Sequence, residues 1–250
     1  MRSHTSLSLI RTSLLRTTLC ASAMALAASW AQAADVNPVL LNQSEFRLLS
    51  EDMGSVLSYK PMIPAEGLGV TGFDVGVAVT GTKLQNHAIW EKASNGSSVE
   101  ATLPIATLRV HKGLPFDIDI GGSFAKVPST NIQILGGELR WAFLPGSTVT
   151  PALALRASVS SLSGVDNLNL RTTGLDVSIS KGFAFVTPYA GAGIVKVKSK
   201  PNAPGLVSES FNQNKVLAGV NLNFGLTNLV FEGDKTGEAT SYGVKFGLRF

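Results

Sequence analysis

The chain has 250 residues, of which 21 are basic, 17 are acidic and one is cysteine. Three of the basic residues and the cysteine lie within residues 1–33, so residues 34–250 hold 18 basic and 17 acidic residues, a net charge of +1, and no thiol. This near-neutral charge excludes nucleic-acid binding through a basic surface, and the missing thiol excludes disulfides, thiol catalysis and cysteine-bound metal. The longest uncharged apolar stretches beyond residue 33 are broken by glycine and proline, so no membrane-spanning helix is expected there.

The first 33 residues have the layout of a secretory signal peptide. Three arginines precede the first acidic residue, Asp35, and an uncharged stretch rich in alanine and leucine ends in Ala-Gln-Ala at 31–33. This order is typical of a segment that directs export and is removed by cleavage, here after Ala33. An N-terminal membrane anchor is the less favoured alternative because the apolar part is short.

Residues 34–66 form a helical segment ahead of the strands. Asn42 followed by Glu45 resembles a capping box, and apolar residues then recur at helical spacing from Phe46 to Leu57. We expect an amphipathic helix on the periplasmic side. It is expected to lie on the inner leaflet, to fold into the barrel mouth as a plug, or to pack under the barrel as a lid.

Residues 67–250 consist of segments in which apolar and polar residues alternate. In the first segment, Val75, Val77 and Val79 share one face and Asp74 and Gly76 share the other. A period of two predicts strands, and there is almost no helical periodicity. The predicted strands cover 68–82, 101–112, 115–126, 131–144, 149–161, 168–181, 184–198, 214–225, 228–234 and 241–250.

The alternation alone fits both a soluble barrel or sandwich and a membrane barrel with apolar residues facing lipid. The predicted connections alternate in length, since 83–98 and 199–213 are long whereas 113–115, 145–148 and 226–227 are tight. Short turns at one end and long loops at the other are typical of transmembrane barrels. Aromatic residues gather at the short-turn end, as in a membrane-interface girdle. They are Phe116, Trp141, Phe143, Phe183, Phe185, Phe224 and Phe250.

The last strand, SYGVKFGLRF at 241–250, carries a large apolar residue at every second position and ends on phenylalanine. Together with the signal peptide and the even set of alternating strands, it resembles Gram-negative outer-membrane β-barrel proteins. The resemblance implies an all-β, antiparallel transmembrane barrel. The alternating segments predict about ten strands, with eight or twelve as alternatives because the second and ninth segments are weak. It also implies that the insertion machinery reads the final strand, here through Tyr242, Val244, Phe246, Leu248 and Phe250.

The polar face of the strands predicts a charged lumen. Its members carry mixed signs, which favours an interlocked polar core over a selective pore. They are Asp74, Arg109, Asp119, Glu138, Arg140, Arg156, Asp176 and Lys245.

Three cross-strand pairs of opposite charge are predicted on this inward face. A turn at 113–115 would place Arg109 opposite Asp119 and His111 opposite Asp117. A turn centred on Ser147 would place Glu138 opposite Arg156.

No catalytic or metal-binding pattern accompanies the barrel. Beyond residue 33 there are two histidines. His87, in the first long loop, has no serine or acidic partner placed by sequence, and His111, on a strand, has Arg109 and Gly113 at its alternate positions and so lacks the His-x-Ser spacing of lipid-cleaving barrels. Asp117 and Asp119 are predicted to pair with Arg109 and His111 rather than with each other. We therefore expect no enzyme activity, no cofactor and no metal.

The expected function is that of an integral outer-membrane barrel that passes a small or hydrophobic solute, with residues 34–66 as its plug. The alternative is a structural barrel with a filled lumen that displays loops 83–98 and 199–213 to lipid, lipopolysaccharide or a partner. A third hypothesis is a lipid-modifying enzyme that uses His87 or His111. Lys196, Lys198 and Lys200 could meet lipid phosphates or simply be solvated.

Overall fold

The computed structural model describes residues 36–126 and 132–250, so the predicted signal peptide at 1–33 lies outside the described residues. The described chain forms a closed antiparallel barrel in which each strand pairs with its neighbour in sequence and the first pairs with the last. The predicted count of ten strands is confirmed. The strands are β1 (Phe73–Lys83), β2 (Thr102–Leu114), β3 (Ile118–Lys126), β4 (Gln133–Leu144), β5 (Ala152–Ser163), β6 (Leu168–Ser180), β7 (Val186–Pro201), β8 (Glu209–Phe224), β9 (Thr227–Thr236) and β10 (Ala239–Arg249).

The predicted alternation sets which side chains face outward. On β1, Val75, Val77 and Val79 are exposed on the outer wall, whereas Asp74 and Ala78 are buried inside. The same division holds on β10, where Lys245 is buried between the exposed residues Val244 and Phe246. The outer wall is therefore apolar and the inner wall polar, the inverse of a soluble protein.

Two helices accompany the barrel. Helix α1 (Gln43–Leu57) begins at the predicted capping box, in which the Asn42 side chain accepts a hydrogen bond from the Glu45 amide and the Glu45 carboxylate accepts one from the Asn42 amide. Helix α2 (His87–Ala93) lies in the β1–β2 connection, which the sequence suggested to be a loop. Its seven residues are too few for a clear helical pattern. Across the described residues, neither helix is long and apolar enough to traverse a bilayer.

Helix α1 lies at the end of the barrel that carries the longer loops. Its buried residues Phe46, Leu49 and Met53 belong to one apolar cluster with Leu170 of β6 and Val197 of β7. The sequence analysis expected this helix on the periplasmic side, which is the side of the short turns in such barrels, and that prediction is therefore wrong. The physical reason is that the inner wall turns from charged to apolar near the long-loop end, where it offers the helix an apolar partner.

From α1 the chain runs through the lumen toward the short turns. Residues 58–65 are all buried, and the segment ends beside the start of β1, where the Gly72 carbonyl accepts a hydrogen bond from the Gly113 amide. An extended chain advances about 3.3 Å per residue, so about ten residues suffice to cross an apolar band about 25 Å tall. The lumen is thus occupied by the chain's own N-terminal segment, residues 58–68, called here the threaded segment.

The predicted register between β2 and β3 is wrong by four residues. Arg109 lies opposite Ser123, and His111 lies opposite Gly121. The turn is a 3-10 turn at Pro115–Asp117, in which Phe116 and Asp117 adopt positive φ angles of 66° and 55°. Non-glycine residues rarely adopt this conformation, so these residue types do not predict it. Asp117 is exposed in this turn, so its predicted pairing with His111 is also wrong.

The predicted register between β4 and β5 is wrong by two residues. Glu138 lies opposite Ser158, and Arg140 lies opposite Arg156. The register shifts between Trp141 and Leu144, an irregularity of the bulge type that lengthens one strand relative to the other. The charges nevertheless stay on the inner wall, because a shift of two residues preserves the face.

Candidate functional site: the filled lumen and its lid

The structure places all eight predicted lumen residues on the inner wall, and each is buried. Seven of them form ion pairs inside the barrel. The eighth, Arg109, stacks its guanidinium 4.8 Å from the centre of the Tyr59 ring and donates to the Pro61 carbonyl at 3.4 Å. In the described part of the chain Arg109 has no carboxylate within ion-pair distance, so its predicted pairing with Asp119 is not found.

The first ionic group lies near the β1–β10 seam. Asp74 accepts from Lys245 at 2.6 Å on one oxygen, and on the other from Nε of Arg249 at 2.9 Å and from the Asn228 side-chain amide at 2.7 Å. Three donors on two other strands thus surround one carboxylate. This group ties the first strand to the last, which closes the barrel.

The second ionic group is a chain of alternating charge across β2, β4, β5 and β6. Glu138 lies 3.3 Å from Nε2 of His111 and 3.1 Å from Nε of Arg156, which in turn lies 3.2 Å from Asp176. The Tyr59 hydroxyl approaches the same His111 nitrogen at 3.4 Å. Because charges of both signs alternate within a space filled by side chains, this group interlocks the wall and leaves no row of one sign for an ion to follow.

The threaded segment is attached to the wall by a buried ion pair. Nζ of Lys60 lies 3.0 Å from Asp234 on β9, and both side chains are almost fully buried. The same ammonium donates to the Ser55 carbonyl at 2.9 Å and to the Ser58 hydroxyl at 2.8 Å. Lys215 on β8 adds a hydrogen bond to the Tyr59 carbonyl. One end of the threaded segment is therefore held by charge as well as by shape.

Further contacts hold the backbone of the threaded segment along its length. The Met62 amide donates to Glu232 at 2.8 Å, and the Leu68 amide donates to Asp119 at 3.0 Å. Arg140, which is paired with that same Asp119, also donates to the Pro64 carbonyl. A buried backbone group without a partner is costly, so these wall residues supply what a strand neighbour would supply elsewhere.

A lid closes the long-loop end of the barrel. We define it as the 3-10 turn Pro38–Leu40, helices α1 and α2, and the loop 202–208. Its central contact is the Asp52 carboxylate of α1, which accepts hydrogen bonds from the Gln85 amide at 3.1 Å, the Asn86 amide at 2.9 Å and the Trp90 indole at 3.1 Å. Asp52 thus binds the backbone just ahead of α2, where Asn86 makes no side-chain cap of its own.

Two carboxylates of the lid have shifted pKa values of opposite direction. Burial raises the pKa of Asp52, and the hydrogen bonds from Asn86, Trp90 and Gln85 oppose that rise only in part. The hydrogen bond from Lys92 of α2 lowers the pKa of Glu45, and this exposed pair has an oxygen–nitrogen distance of 2.7 Å. Both carboxylates connect α1 to α2.

Several residues of the site escaped the sequence prediction. Lys215, Glu232 and Asp234 line the inner wall of β8 and β9 but were not assigned to the lumen. The signal existed, because Glu232 and Asp234 alternate with outward-facing residues. It was weak because the residue between them, Gly233, is not a large apolar residue. Lys60 had no signal, since its role depends on the path of the threaded segment.

The two histidines lie in different parts of the structure. His111 is buried in the second ionic group, whereas His87 lies in α2, with Nδ1 3.8 Å from Glu91 and Nε2 beside the Val99 carbonyl. No serine hydroxyl contacts either ring among the described residues. The described ranges likewise contain no group of three or more side chains arranged to hold a metal ion.

The five residues of the predicted insertion signal lie on β10 or just after it, and all are exposed on the outer wall. Phe250 exchanges two backbone hydrogen bonds with Phe73, of 2.6 and 3.0 Å, and the two rings stack with centroids 5.7 Å apart. The other predicted girdle rings are exposed at the same end, with Trp141 near Phe143 and Phe185 near Phe224. The last contact of the β1–β10 seam, Phe73 with Phe250, and the predicted aromatic girdle thus lie at the same end of the barrel, that of the short turns. Whether insertion machinery reads this strand stays a prediction.

Among known proteins, the chain is similar at low identity to solved structures of bacterial outer-membrane proteins. No family model matches the chain, and no curated protein matches it in sequence. Among solved structures, the attachment invasion locus protein Ail of Yersinia pestis is 16% identical, with 72% of this chain and 97% of that one covered, at a TM-score of 0.31. The outer membrane protease OmpT from Escherichia coli is 8% identical over 72% of this chain and 95% of that one, at 0.36. The translocator domain of the autotransporter NalP from Neisseria meningitidis is 10% identical over 83% and 94%, at 0.37.

The polarity of the two barrel walls indicates which environment surrounds the barrel. The apolar side chains that cover the exterior would cost free energy in water, and the charged interior would have no place on a lipid-facing wall. A closed sheet also leaves no unpaired edge to satisfy in hydrocarbon. These features together are those of a transmembrane β-barrel.

Proposed function

We propose that this protein works as a closed outer-membrane barrel, whose lumen is filled by its own N-terminal segment and whose lid meets a partner or lipid at the long-loop end. The observation that carries this proposal is the path of the threaded segment, residues 58–68, through the middle of the barrel. Burial of residues 58–65 leaves the segment no free side along the lumen. A solute could pass only if this segment moved.

The surface of the lid supports an interaction role. Val39, Leu40, Leu48 and Val207 are large apolar side chains that remain exposed there, between 37% and 65% of their surface. Gln43 joins two parts of this surface, because its side chain accepts from the Val207 amide at 2.9 Å. Exposed apolar side chains that lie together are typical of surfaces that contact another molecule.

Gated passage of a small solute is the second candidate, favoured by one feature of the threaded segment. Polar contacts with the wall recur along it, as at Lys60 with Asp234 and at the Met62 amide with Glu232, beside apolar packing of the Met62 and Ala65 side chains. Water can replace polar contacts at lower cost than apolar ones, so such a plug is more readily displaced than one held by a dry apolar interface.

Single-channel conductance in a planar bilayer separates the two candidates. The mature protein is measured beside Lys60→Glu, which places a like charge against Asp234, and beside Lys83→Glu, which makes the same charge change on the exposed outer wall. Silence from all three, with heat-modifiable migration showing folded barrels, supports the closed barrel. Steps from Lys60→Glu alone support gated passage. Stable steps from the unaltered protein would contradict a filled lumen.

A further inference from the structure

Four cations stand together on the outer wall of β6 and β7, near the long-loop end. Lys196, Lys198 and Lys200 alternate along β7, and Arg171 of β6 lies directly opposite Lys198. All four side chains are exposed. Because inward and outward residues alternate, all four point away from the lumen, toward what surrounds the barrel.

The height of these cations on the wall places them at the edge of the apolar band. The next row toward the short turns is Leu175 opposite Ile194, and each is 49% exposed on the lipid-facing surface. Lys196 follows Ile194 by two residues, which is about 7 Å along a strand. Lys198 and Arg171 lie one further step out. The cations therefore occupy the level of lipid headgroups rather than that of the hydrocarbon or of the loop tips.

These cations have no protein partner in the described chain. None of the four forms an ion pair with a carboxylate of residues 36–126 or 132–250. The β8 residues that face Lys196 and Lys198 are Asn212 and Ser210, both neutral. Like charges directly opposite each other, as at Arg171 and Lys198, destabilise a sheet unless something neutralises them.

The rest of the rim differs from this patch. Lys83 on β1 and Lys126 on β3 are exposed at a similar height, but each stands alone, and the cross-strand neighbours of Lys83 are threonines. Lys235 on β9 is paired with Glu238 at 3.3 Å. Among the described residues of this rim, the concentration of unpaired positive charge is thus particular to β6 and β7.

We propose that Arg171, Lys196, Lys198 and Lys200 form a binding site for the phosphate groups of a phosphorylated lipid in the leaflet at the long-loop end. Arginine binds a phosphate with two parallel hydrogen bonds, and lysine contributes a compact point charge beside it. A row of cations about 13 Å long, from Lys196 to Lys200, suits a headgroup with more than one phosphate better than a single phosphate. A lipid is the occupant because the patch faces the bilayer sideways, where a soluble protein has no access.

The test measures binding of a diphosphorylated glucosamine lipid, lipid A, to the full-length mature protein folded in neutral detergent. Native mass spectrometry counts retained lipids, and a titration gives the dissociation constant. The variant K196Q/K198Q removes two charges of the patch, and K83Q/K126Q removes two exposed charges at the same end of the barrel. We expect K196Q/K198Q to weaken binding at least tenfold and K83Q/K126Q to leave it within twofold of the unaltered protein.

Each other outcome overturns the proposal. Equal weakening in both double variants would mean unspecific attraction to positive charge, and no weakening in either would mean that the lipid binds elsewhere. Competition by inorganic phosphate at the lipid's own concentration would point to a free anion instead. The single variant R171Q, checked like the others for heat-modifiable migration, gives a second reading: at least threefold weaker binding is expected, and unchanged binding counts against the site.

Discussion

The buried ion pair between Lys60 and Asp234 should be the strongest single attachment of the threaded segment. In Lys60→Met the ammonium is lost while the methylene stem keeps its packing. Asp234 then remains buried and, among the described residues, keeps a side-chain hydrogen bond from Thr236 alone, at 2.9 Å. Removing one partner of a buried pair costs about 3–5 kcal/mol. Because Thr236 still compensates the carboxylate in part, we expect a cost near the lower limit, about 3 kcal/mol.

That cost should appear as release of the threaded segment before the barrel unfolds. A difference of about 3 kcal/mol multiplies the ratio of released to bound segment roughly a hundredfold, since 1.4 kcal/mol corresponds to a factor of ten. Hydrogen exchange of the amides at 58–65 should therefore accelerate about a hundredfold. The amides of the strand ladder, for example at Val177 and Ile194, should exchange at their original rates.

The double variant Lys60→Met/Asp234→Leu is the matched control for this reasoning. Replacing a buried ion pair by apolar side chains is often close to neutral, so the double variant should recover most of the lost protection. Unchanged exchange at 58–65 in Lys60→Met would refute the assignment of a buried pair, since an exposed pair contributes less than about 1 kcal/mol.

Four further outcomes are expected. Asp52→Ala should loosen the contact between α1 and α2 by about 2 kcal/mol, because three donors lose their acceptor. The raised pKa of Asp52 means that its ionised form is penalised in the folded lid. Protection of the lid amides in hydrogen exchange should therefore rise as the pH falls from neutral through that pKa. This dependence should vanish in Asp52→Asn. Gly113→Ala should lower stability in urea unfolding by about 1–3 kcal/mol, because a Cβ there would overlap the Gly69 carbonyl oxygen. Phe250→Ala removes the stacking on Phe73, and it should reduce the amount of folded barrel recovered from the outer membrane; equal recovery would count against the insertion signal.

The faces of the strands could be predicted from the sequence because a period of two leaves little choice. Asp74, Glu138 and Lys245 alternate with large apolar residues, and a slip of one residue would have turned those charges toward lipid. The strand count followed from the same pattern. The pairing partners could not be predicted in the same way. The turn at Pro115–Asp117 depends on positive φ angles at Phe116 and Asp117, and these residue types do not predict such angles.

The path of the N-terminal segment could not be predicted for a different reason. The capping box at Asn42 fixed where α1 begins, but its location depends on which end of the barrel has an apolar inner wall. That end is formed by Leu170, Val197 and their neighbours, which come together only in the closed barrel. The contacts of Lys60 follow from this path, so the central feature of the site became visible only in three dimensions.

A disulfide between α1 and the inner wall tests most directly whether the segment that fills the lumen enters it from the long-loop end. An ideal Cβ on Gly54 would lie 3.0 Å from Cγ1 of Val197 on β7, so cysteines at these positions fall within bonding range. Residues 34–250 contain no cysteine to compete. We predict that the mature Gly54→Cys/Val197→Cys protein forms this disulfide in its folded state and that Gly54→Cys/Thr148→Cys, with the second thiol in a short turn, does not. Free thiols in the first pair, or a bond in the second, would contradict a helix held in the long-loop end of the barrel.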